Sequence, residues 1–423
     1  MSEAKEVIVA GCGASGMMAA IAAALSGARV TVLEGMERPG KKLLLTGNGR
    51  CNLTNLDPDL PVSYRSVEPE GAEISERILK RFSVEDTLDF FHDLGLYTAN
   101  REQYVYPRTF QSAGVLALLL AKMRQLGVKL KYSQKITGIR REAEKGRWLV
   151  RTEGWTYDCD RLVLCCGSRA VPGTGSDGSG YELARSAGHS LTEILPALTA
   201  LKGKNRKFLA AAAGVRCQSI VRLFGGRPED GGGNLLCQDQ GELQIGEEGI
   251  SGIVVFQVSR FGSLELGRGK PVYAQLDFLP EFSEDELKRW LKERGDYWRD
   301  RDVSVETVLT GILPGKLAGA LLREGGIRPG IPMGKLEERQ AEILCLLVKK
   351  FVLPVSGARG FEQCQVCAGG IPLREVDGGT LESKICPGLY FAGEMLDVDG
   401  PCGGYNLQWA WSSGYVAGSF AAK

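Results

Sequence analysis

The chain begins with short apolar runs separated by one helical pattern. Residues 7–10 are apolar, and residues 29–33 form a second, mostly apolar run. Runs of this length predict buried parallel strands. The alanine-rich segment between them, from Ser15 to about Leu25, predicts a buried helix. The predicted order of strand, helix and strand is that of a βαβ unit.

A complete G-x-G-x-x-G motif joins the first strand to this helix. In such a motif Gly11 allows the tight turn, Gly13 lets a pyrophosphate approach the backbone, and Gly16 lets the helix pack on the strand. The helix N-terminus presents free N–H groups to the phosphates. Glu34 ends the second strand, where a carboxylate accepts ribose hydroxyls, which favours FAD or NAD over a 2′-phosphorylated dinucleotide. We predict a dinucleotide site containing Gly11, Gly13, Ala14, Ser15, Gly16 and Glu34.

Later patterns extend this unit into a doubly wound sheet. Residues 73–94 and 111–126 predict helices, and three strand patterns follow before the apolar run at 161–167. That run predicts a buried return strand. A glycine-rich loop at 172–180 then leads into another helix.

The pattern changes after Pro196. Residues 197–280 alternate and turn often, which predicts antiparallel β structure, with a glycine-rich turn at 225–234. Residues 283–352 predict helices, the first with a capping box at Ser283 and Glu286. We therefore expect three segments: residues 1–194 and 351–423 form one dinucleotide-binding domain, and residues 195–350 form an inserted β-plus-helical domain.

The C-terminal segment returns to α/β character. A strand pattern at LYFAG is followed by acidic residues and by Gly403-Gly404, which precede a final helix. Ligands of open α/β sheets bind at the carboxyl ends of the strands, so this turn and the turn at 11–16 are expected to meet in one cleft. A cofactor held by both ends of the chain is long, which favours FAD over NAD.

Composition narrows the classes of partner. The 423 residues carry a formal net charge of +1, with 43% hydrophobic and 24% charged residues. This balance predicts neither a nucleic-acid nor a membrane surface, because both usually need a basic excess. No apolar run is long enough for a transmembrane helix. We expect a cytoplasmic protein that acts on a small molecule.

Histidine and cysteine usage argues against a metal site. The chain has two histidines, His92 and His189, for which helix capping or core packing is the expected role. Cys364 and Cys367 form a C-x-x-C in a segment that reads as extended, so their side chains are expected on opposite faces. We predict neither a metal ion nor thioredoxin-like redox chemistry here.

Residues 35–55 form a second glycine- and amide-rich segment without clear periodicity. Structureless segments of this length are usually functional. Because the segment follows the phosphate-binding turn, we predict that it contacts the ligand. Its cations are Lys41, Lys42 and Arg50, and its amides are Asn48, Asn52 and Asn55.

Six motifs give the chain a family resemblance. It resembles the bacterial FAD-dependent flavoproteins described as aminoacetone-oxidase-like or bile-acid-reductase-like. The resemblance implies a glutathione-reductase-like FAD-binding Rossmann domain, split by an inserted β-barrel-like and helical domain. The motifs span nearly the whole chain and read GCGASG, GKKLLLTGNGRCNLTN, GELQIGEEGISG, GILPGKLAG, CAGGIPLREVD and LYFAGEMLDVDGPCGGYNLQWAWSSG.

The resemblance also implies positions for the cofactor. The glycine turn would hold the pyrophosphate and Glu34 the adenosine ribose, while the backbone of Ile136 would meet adenine. Residues expected on the flavin side are Gly40, Lys41, Lys42, Gly47, Asn48, Gly49, Arg50 and Cys51. Residues expected at the ribityl chain and pyrimidine edge are Gly393, Glu394, Gly403, Gly404, Tyr405, Asn406 and Leu407. The chain departs from the family pattern at Gly246-Glu247, Ile253 and Cys367.

Three reactions are compatible with the sequence. In the first, NAD(P)H reduces the flavin, which passes hydride from N5 to a C=C bond conjugated to a carbonyl, as in bile-acid-like enones. In the second, an amine of the aminoacetone type reduces the flavin and oxygen reoxidises it. The third is RNA modification, which the near-neutral charge disfavours. Because the chain has one dinucleotide fingerprint, NAD(P)H would need a transient or non-classical site. Candidate proton donors are Arg50, Cys51, Tyr104 and Tyr106.

Overall fold

The computed structural model describes residues 4–57, 59–142, 144–228 and 233–423. The chain divides into two compact units, one made of the residues up to Leu195 with Phe361–Lys423, and the other of Pro196–Gly360. Part of the turn predicted at 225–234 lies outside the described residues.

Strands and helices are numbered in chain order. The strands are β1 Glu6–Ala10, β2 Arg29–Leu33, β3 Thr54–Asn55, β4 Thr98–Arg101, β5 Tyr104–Pro107, β6 Lys129–Lys131, β7 Ile136–Arg141, β8 Trp148–Thr152, β9 Thr156–Cys159, β10 Arg161–Leu164, β11 Leu195–Ala197, β12 Leu201–Gly203, β13 Arg216–Gly225, β14 Asn234–Gly246, β15 Gly249–Ser251, β16 Val272–Asp277, β17 Phe351–Ala358, β18 Val366–Ala368 and β19 Leu389–Phe391. The helices are α1 Ala14–Leu25, α2 Lys41–Leu45, α3 Gly71–Arg81, α4 Val84–Asp93, α5 Ser112–Gln125, α6 Ser179–Ser186, α7 Arg206–Ala211, α8 Ile253–Gly267, α9 Glu284–Tyr297, α10 Val305–Leu309, α11 Gly315–Glu324, α12 Glu338–Lys349 and α13 Tyr405–Ala421.

The first unit is organised around a parallel sheet. Its strand order is β19-β10-β1-β2-β6, and every pairing in it is parallel. The apolar runs that predicted β1 and β10 are buried, as strands covered on both faces must be. Strand β19 pairs with the return strand β10, with Leu389 opposite Leu162. The C-terminal segment therefore rejoins the sheet begun by the first residues, as the sequence predicts.

Two glycines let the final helix lie against the first one. A Cβ atom on Gly418 would stand 2.1 Å from the carbonyl oxygen of Ala19, and one on Gly414 would stand 2.4 Å from that of Ser15. The backbones of α1 and α13 are thus in direct contact, and the alanines of α1 leave room for this approach. This contact brings the two ends of the chain together.

Substituting Gly418 with alanine should destabilise the protein. The new methyl group cannot fit against a backbone carbonyl, and overpacking of this kind costs roughly 1–3 kcal/mol. The matched control is Gly114→Ala in α5, where a Cβ atom meets nothing within 4 Å. That change should be neutral or stabilise the helix by up to about 1 kcal/mol. Chemical denaturation measures both, and equal stability of the two variants would contradict this packing of α1 on α13.

The second unit contains a closed barrel with strand order β12-β15-β14-β13-β16-β17. Strand β17 pairs with β16 and β12, so the barrel continues past residue 350, where the sequence placed the boundary. The capping box predicted at Ser283 and Glu286 begins α9. Helices α9 to α12 occupy the segment predicted to be helical.

Helix α8 was not predicted from the sequence, in which residues 197–280 read as β structure. The segment is rich in β-branched and aromatic residues, which favour strands. Its buried positions nevertheless include Val254, Val255, Val258 and Gly262, a helical spacing. The helix packs against β13 and β14 and covers apolar barrel residues, so tertiary burial overrides local propensity.

His189 lies in a buried polar cluster of the first unit. The Ser383 hydroxyl accepts hydrogen bonds from the backbone N–H groups of Ile385 and Cys386, so it donates its own proton to His189 Nε2 at 2.7 Å. The Nδ1–H then donates to Glu375 Oε2 at 2.9 Å. The ring also packs on Phe391, with 4.7 Å between centroids. This agrees with the packing role expected of this histidine.

Acid should lower the stability of the folded protein through this cluster. Burial lowers the pKa of His189 from 6.5, although Glu375 partly opposes the shift. The folded state therefore favours neutral imidazole. The stability that this preference contributes is fully present above the pKa of the unfolded state and is lost as the pH falls towards the lower pKa of the folded state. Denaturant midpoints measured at about pH 7.5 and about pH 5.5 should differ less in His189→Gln than in the parent. An equal acid loss in both would exclude His189 as the cause.

Candidate cofactor-binding and active site

The glycine turn has the geometry that a pyrophosphate requires. Gly11 has φ +97°, and a Cβ atom there would stand 2.6 Å from the carbonyl oxygen of Cys165. A Cβ atom on Gly16 would stand 2.0 Å from the carbonyl oxygen of Gly11, whereas one on Gly13 would meet nothing within 4 Å. Gly11 and Gly16 are therefore required by packing. Gly13 faces open space at the N-terminus of α1, where a ligand can approach the backbone.

Glu34 lies beside this turn and is already oriented by it. Its carboxylate accepts the N–H of Cys12 at 2.7 Å and the N–H of Met36 at 2.8 Å. Burial raises the pKa of Glu34, and these two hydrogen bonds oppose the rise. Met36 and Glu34 also line the left-handed turn at Gly175. The predicted acid therefore lies at the end of β2, next to the second glycine-rich loop.

The C-terminal turn at Gly393 contacts the start of α1. A Cβ atom on Gly393 would stand 2.5 Å from Ser15 Oγ. The N–H of Gly393 donates to Ser413 Oγ at 2.9 Å, and its carbonyl accepts from Trp409 Nε1 at 3.0 Å. Ser15, Gly393 and the glycine turn thus lie together, whereas the cleft predicted from the sequence involved the later turn at Gly403 and Gly404.

Glu394 is the centre of a polar network. Its Oε2 accepts from Lys42 Nζ at 2.6 Å and from the Ser168 hydroxyl at 2.6 Å. The side chains of Lys42 and Glu394 are 24% and 20% exposed, so the pair is only partly solvated. Lys42 and Glu394 were both predicted at the site. Ser168 was missed, because the sequence offers only a serine after the buried return strand.

The segment after α2 has an unusual backbone. Gly47, Asn48 and Gly49 have φ values of 58°, 56° and 83°, and Cys51 has φ 58°. Successive N–H groups in such conformations can form a concave anion-binding surface. Nearby, Gly40 is left-handed and its N–H donates to the carbonyl of Cys12 at 3.0 Å. The segment is therefore tied to the glycine turn.

Another C-terminal turn, at residues 400–404, precedes α13. A Cβ atom on Gly404 would stand 2.5 Å from the Thr54 backbone, and one on Gly403 would stand 2.4 Å from the Tyr104 ring. The Asn55 amide donates to the Gly403 carbonyl at 2.8 Å. Strands β3 and β5 therefore form one wall of this turn.

Asn406 has a structural role in this turn. Its side chain accepts from the N–H of Gly400 at 2.9 Å and donates to the carbonyls of Gly400 and Pro401 at 2.9 Å and 3.2 Å. Its amide group is thus used locally, so the predicted cofactor contact of this residue would have to come from its backbone. Tyr405 is buried and its hydroxyl donates to Asp57. Leu407, which follows Asn406, is partly buried.

Tyr104 and Tyr106 lie on one face of β5, because alternate residues of a strand share a face. Both are half-buried, and Val105 between them is fully buried. Tyr104 packs on Gly403, and the Tyr106 ring is 3.8 Å from the position of a Cβ atom on Gly47. The two rings therefore connect the 46–51 segment with the C-terminal turn.

Cys51 does not fit the role of a proton donor. It has 0% exposed surface, and burial raises the pKa of its thiol to about 12. A side chain without accessible surface cannot touch a substrate, so the sequence prediction for the Cys51 side chain was wrong. Arg50, in contrast, is exposed.

Two other predicted cofactor positions are Ile136 and Lys41. Ile136 is 9% exposed and is the first residue of β7. The Lys41 Nζ atom lies 3.8 Å from the Glu37 carboxylate.

Two of the positions where the chain departs from the family motif lie in the second unit. Gly246 and Glu247 line an open cavity of about 660 Å³, together with the cations Arg216 and Lys316. Ile253 is 62% exposed at the first position of α8. Across the described ranges, no group of three or more His, Cys, Asp or Glu could hold a metal ion. No helix in those ranges is long and apolar enough to cross a bilayer.

The parallel sheet and the glycine turn define a protein with a Rossmann-type dinucleotide-binding fold, contacted at its ligand edge by both ends of the chain. The model of the HI0933-like protein Rossmann domain matches residues 5–420, and the chain belongs to this family. The family predicted from the motifs is thereby confirmed.

Known proteins resemble the chain over its full length. A 3-dehydro-bile acid delta(4,6)-reductase of Clostridium scindens is 44% identical over 420 residues, which cover 98% of each chain. A ribosomal RNA dihydrouridine synthase of Haemophilus influenzae is 26% identical over 423 residues, again with 98% of each chain covered. The structure of a 3-ketosteroid delta1-dehydrogenase of Sterolibacterium denitrificans superimposes with a TM-score of 0.52 at 13% identity and covers 99% of both chains. The last likeness establishes the fold.

Proposed function

We propose that this protein is an FAD-dependent oxidoreductase that uses NAD(P)H to reduce a C=C bond conjugated to a carbonyl in a steroid-like small molecule. The observation that carries the proposal is the 44% identity, over 98% of both chains, to a 3-dehydro-bile acid reductase. At this identity two proteins share a fold and commonly a reaction class.

The residues of the site fit FAD. The open space at Gly13 and the N-terminus of α1 suit a pyrophosphate, and the Glu34 carboxylate beside this turn supports the expected ribose contact. The contact of Ser15 with Gly393 suits a long cofactor that follows both chain ends. When bound, FAD supplies hydride transfer at its N5 atom.

The remaining residues have roles in binding and charge stabilisation. Gly404 is the N-cap of α13. The free N–H groups at this helix end favour negative charge on the pyrimidine edge of a flavin. The ammonium group of Lys42 is paired with the Glu394 carboxylate, so these two side chains add a polar but net-neutral pair to the candidate site. The left-handed residues 47–49 offer further N–H groups.

A proton must reach the carbon next to the one that receives hydride. Tyr104 and Tyr106 are the remaining aromatic candidates, since both are half-buried and both lie on the face of β5 that borders the C-terminal turn and the 46–51 segment. Arg50 remains a third candidate because it is exposed. A donor must lie within hydrogen-bond reach of its acceptor in the bound complex.

Removing the correct hydroxyl should separate the two half-reactions. In Tyr104→Phe or Tyr106→Phe, oxidation of the reduced enzyme by an enone should slow by about 100-fold or more, since general acids contribute at least this much. Reduction of the flavin by NAD(P)H should be unchanged, because it needs no proton from these residues. Stopped-flow absorbance measures each step. If neither variant slows oxidation, both tyrosines are packing residues.

The main test is anaerobic flavin bleaching. Purified protein should carry an oxidised flavin spectrum, and NADH or NADPH should bleach it. A 3-oxo-4,6-diene bile acid should then restore the colour. Bleaching by aminoacetone alone, with recovery in oxygen, would replace this proposal with the amine-oxidase alternative. A protein that binds no flavin under any condition would overturn both.

RNA modification is a second candidate, supported by the 26% identity over 98% of both chains to a ribosomal RNA dihydrouridine synthase. Dihydrouridine differs from uridine by reduction of a C=C bond conjugated to a carbonyl, so both candidates use one kind of chemistry. The net charge of +1 disfavours an extended RNA surface. Restoration of oxidised flavin by unmodified ribosomal RNA, but not by the bile acid, would favour this second candidate.

A further inference from the structure

The β4–β5 hairpin carries an aromatic patch with a cation stacked on it. Residues directly opposite each other in paired strands share a face, and Arg101 of β4 lies opposite Tyr104 of β5. Tyr106 lies on the same face, two residues along β5. The Phe110 ring packs on the Tyr106 ring, with 5.4 Å between centroids. The Cζ atom of the Arg101 guanidinium lies 4.5 Å from the centroid of the Phe110 ring.

Phe110 is held in a conformation that bulky residues rarely adopt. Its φ is +51°, in the left-handed region, and its N–H donates to the carbonyl of Pro107 at 2.8 Å. The chain is fixed again just beyond it, because the Ser112 hydroxyl donates to the carbonyl of Leu44 at 3.0 Å. Backbone strain persists where the surrounding structure requires one orientation of a residue, and it clusters at functional positions. Here it accompanies the stacking of Phe110 on Tyr106 and Arg101.

The patch borders the candidate site through its tyrosines. The Tyr104 ring lies against Gly403, just before the N-terminus of α13, and the Tyr106 ring lies beside Gly47. Phe110 is partly buried, and Arg101 is exposed. The patch therefore extends from the turn assigned to the pyrimidine edge of the flavin to a cation in contact with solvent.

The stacked guanidinium remains able to bind an acid. Stacking uses the flat face of the guanidinium, whereas its N–H groups donate from the edge and match a carboxylate in a bidentate arrangement. Within the described ranges, no carboxylate forms an ion pair with Arg101. A planar cation beside aromatic rings suits a ligand that has apolar rings and a carboxylate at one end.

We propose that Arg101 binds a carboxylate of the substrate while Tyr106 and Phe110 contact its apolar rings, so that the protein selects acidic over neutral enones. This inference rests on the proposed enone reduction and adds an acidic group to the substrate. A neutral steroid-like enone would meet the same rings but would offer no anion to the guanidinium. Arg101 is thus a specificity-determining residue, separate from the candidate proton donors.

Ligand binding to the oxidised, flavin-loaded protein tests the proposal without turnover. The probes are a 3-oxo-4,6-diene bile acid and its methyl ester, which differ in whether the side chain carries a charge. Each titration follows the change in the flavin absorbance spectrum. The parent should bind the acid about tenfold more tightly than the ester or better, because a hydrogen bond to a charged group is worth at least this much.

Two substitutions of Arg101 separate charge from shape. Arg101→Gln should bind the acid about as weakly as the parent binds the ester, and its affinity for the ester should be unchanged. Arg101→Lys should retain part of the preference for the acid, because lysine keeps the charge but lacks the planar fork. Phe110→Ala should weaken the binding of both ligands, since both lose a ring contact.

Arg108→Gln is the matched control, because Arg108 is another exposed arginine directly after β5. It removes the same charge and should keep the preference for the acid. Equal affinities of the parent for acid and ester would overturn the role of Arg101. An equal loss of preference in Arg108→Gln and Arg101→Gln would also overturn it. If neither ligand binds the flavin-loaded protein, the proposed substrate class fails, and this inference fails with it.

Discussion

Gly13→Asp is expected to abolish flavin binding while leaving the fold intact. Gly13 is the N-cap of α1 with φ −84° and ψ −168°, a conformation open to any residue, and its Cβ atom would meet nothing within 4 Å. Aspartate is among the best N-cap residues, so the helix should keep its stability. The new carboxylate would face a bound pyrophosphate. One such charge pair at close range costs about 4 kcal/mol at a partly solvated site, which weakens binding by more than about 100-fold.

The measurement is the flavin content of the purified variant together with its thermal unfolding. Gly13→Ser separates the effect of side-chain size on flavin binding from the effect of charge. It adds an uncharged side chain that also caps the helix. Serine should weaken binding less than aspartate does. Gly16→Ala is the contrasting variant, since its methyl group would clash with the Gly11 carbonyl and should impair folding. An aspartate variant that retains flavin at the parent level would show that the pyrophosphate lies elsewhere.

Asp277→Asn should cause the largest loss of stability in the second unit. Asp277 and Lys349 form an ion pair at 2.8 Å, and each side chain is 7% exposed. Lys349 also donates to the backbone carbonyls of Leu279 and Phe282. Asparagine keeps the shape but leaves a buried ammonium without its counter-charge. Breaking a buried pair in this way costs roughly 3–5 kcal/mol, which urea unfolding detects as a lower midpoint.

An adjacent ion pair provides the control. Lys350 and Glu284 are 46% and 40% exposed. Glu284→Gln should therefore change stability by less than about 1 kcal/mol. Combining Asp277→Asn with Lys349→Met should recover part of the loss, because the uncompensated charge is then absent although the Leu279 and Phe282 carbonyls lose their donor. If Asp277→Asn and Glu284→Gln cost the same, the buried pair does not support the barrel.

Several features of the candidate site are predictable from local sequence. The turn at residues 11–16 combines a strand, three glycines and a helix, and each glycine can be assigned by short-range geometry alone. Lys42 and Glu394 were also predicted as site residues, since both lie in motifs next to glycine turns. Their pairing was not found, because 352 positions separate them along the chain.

Other features depend on contacts that no local pattern encodes. Ser168 is a common residue type, and its role follows only from its hydrogen bond to Glu394. Cys51 lies in a motif that resembles a site, but packing removes its side chain from any ligand. Helix α8 has strand-like composition, and the barrel decides its conformation.

By itself, the sequence determined the parallel sheet, the phosphate-binding turn and the return of the C-terminal segment to the sheet. These follow from hydrophobic period and from glycine positions, which act over a few residues. Only the tertiary structure decided which residues meet: Tyr104 with Gly403, and Lys42 with Glu394. Such encounters depend on burial and on distances between segments far apart in the chain.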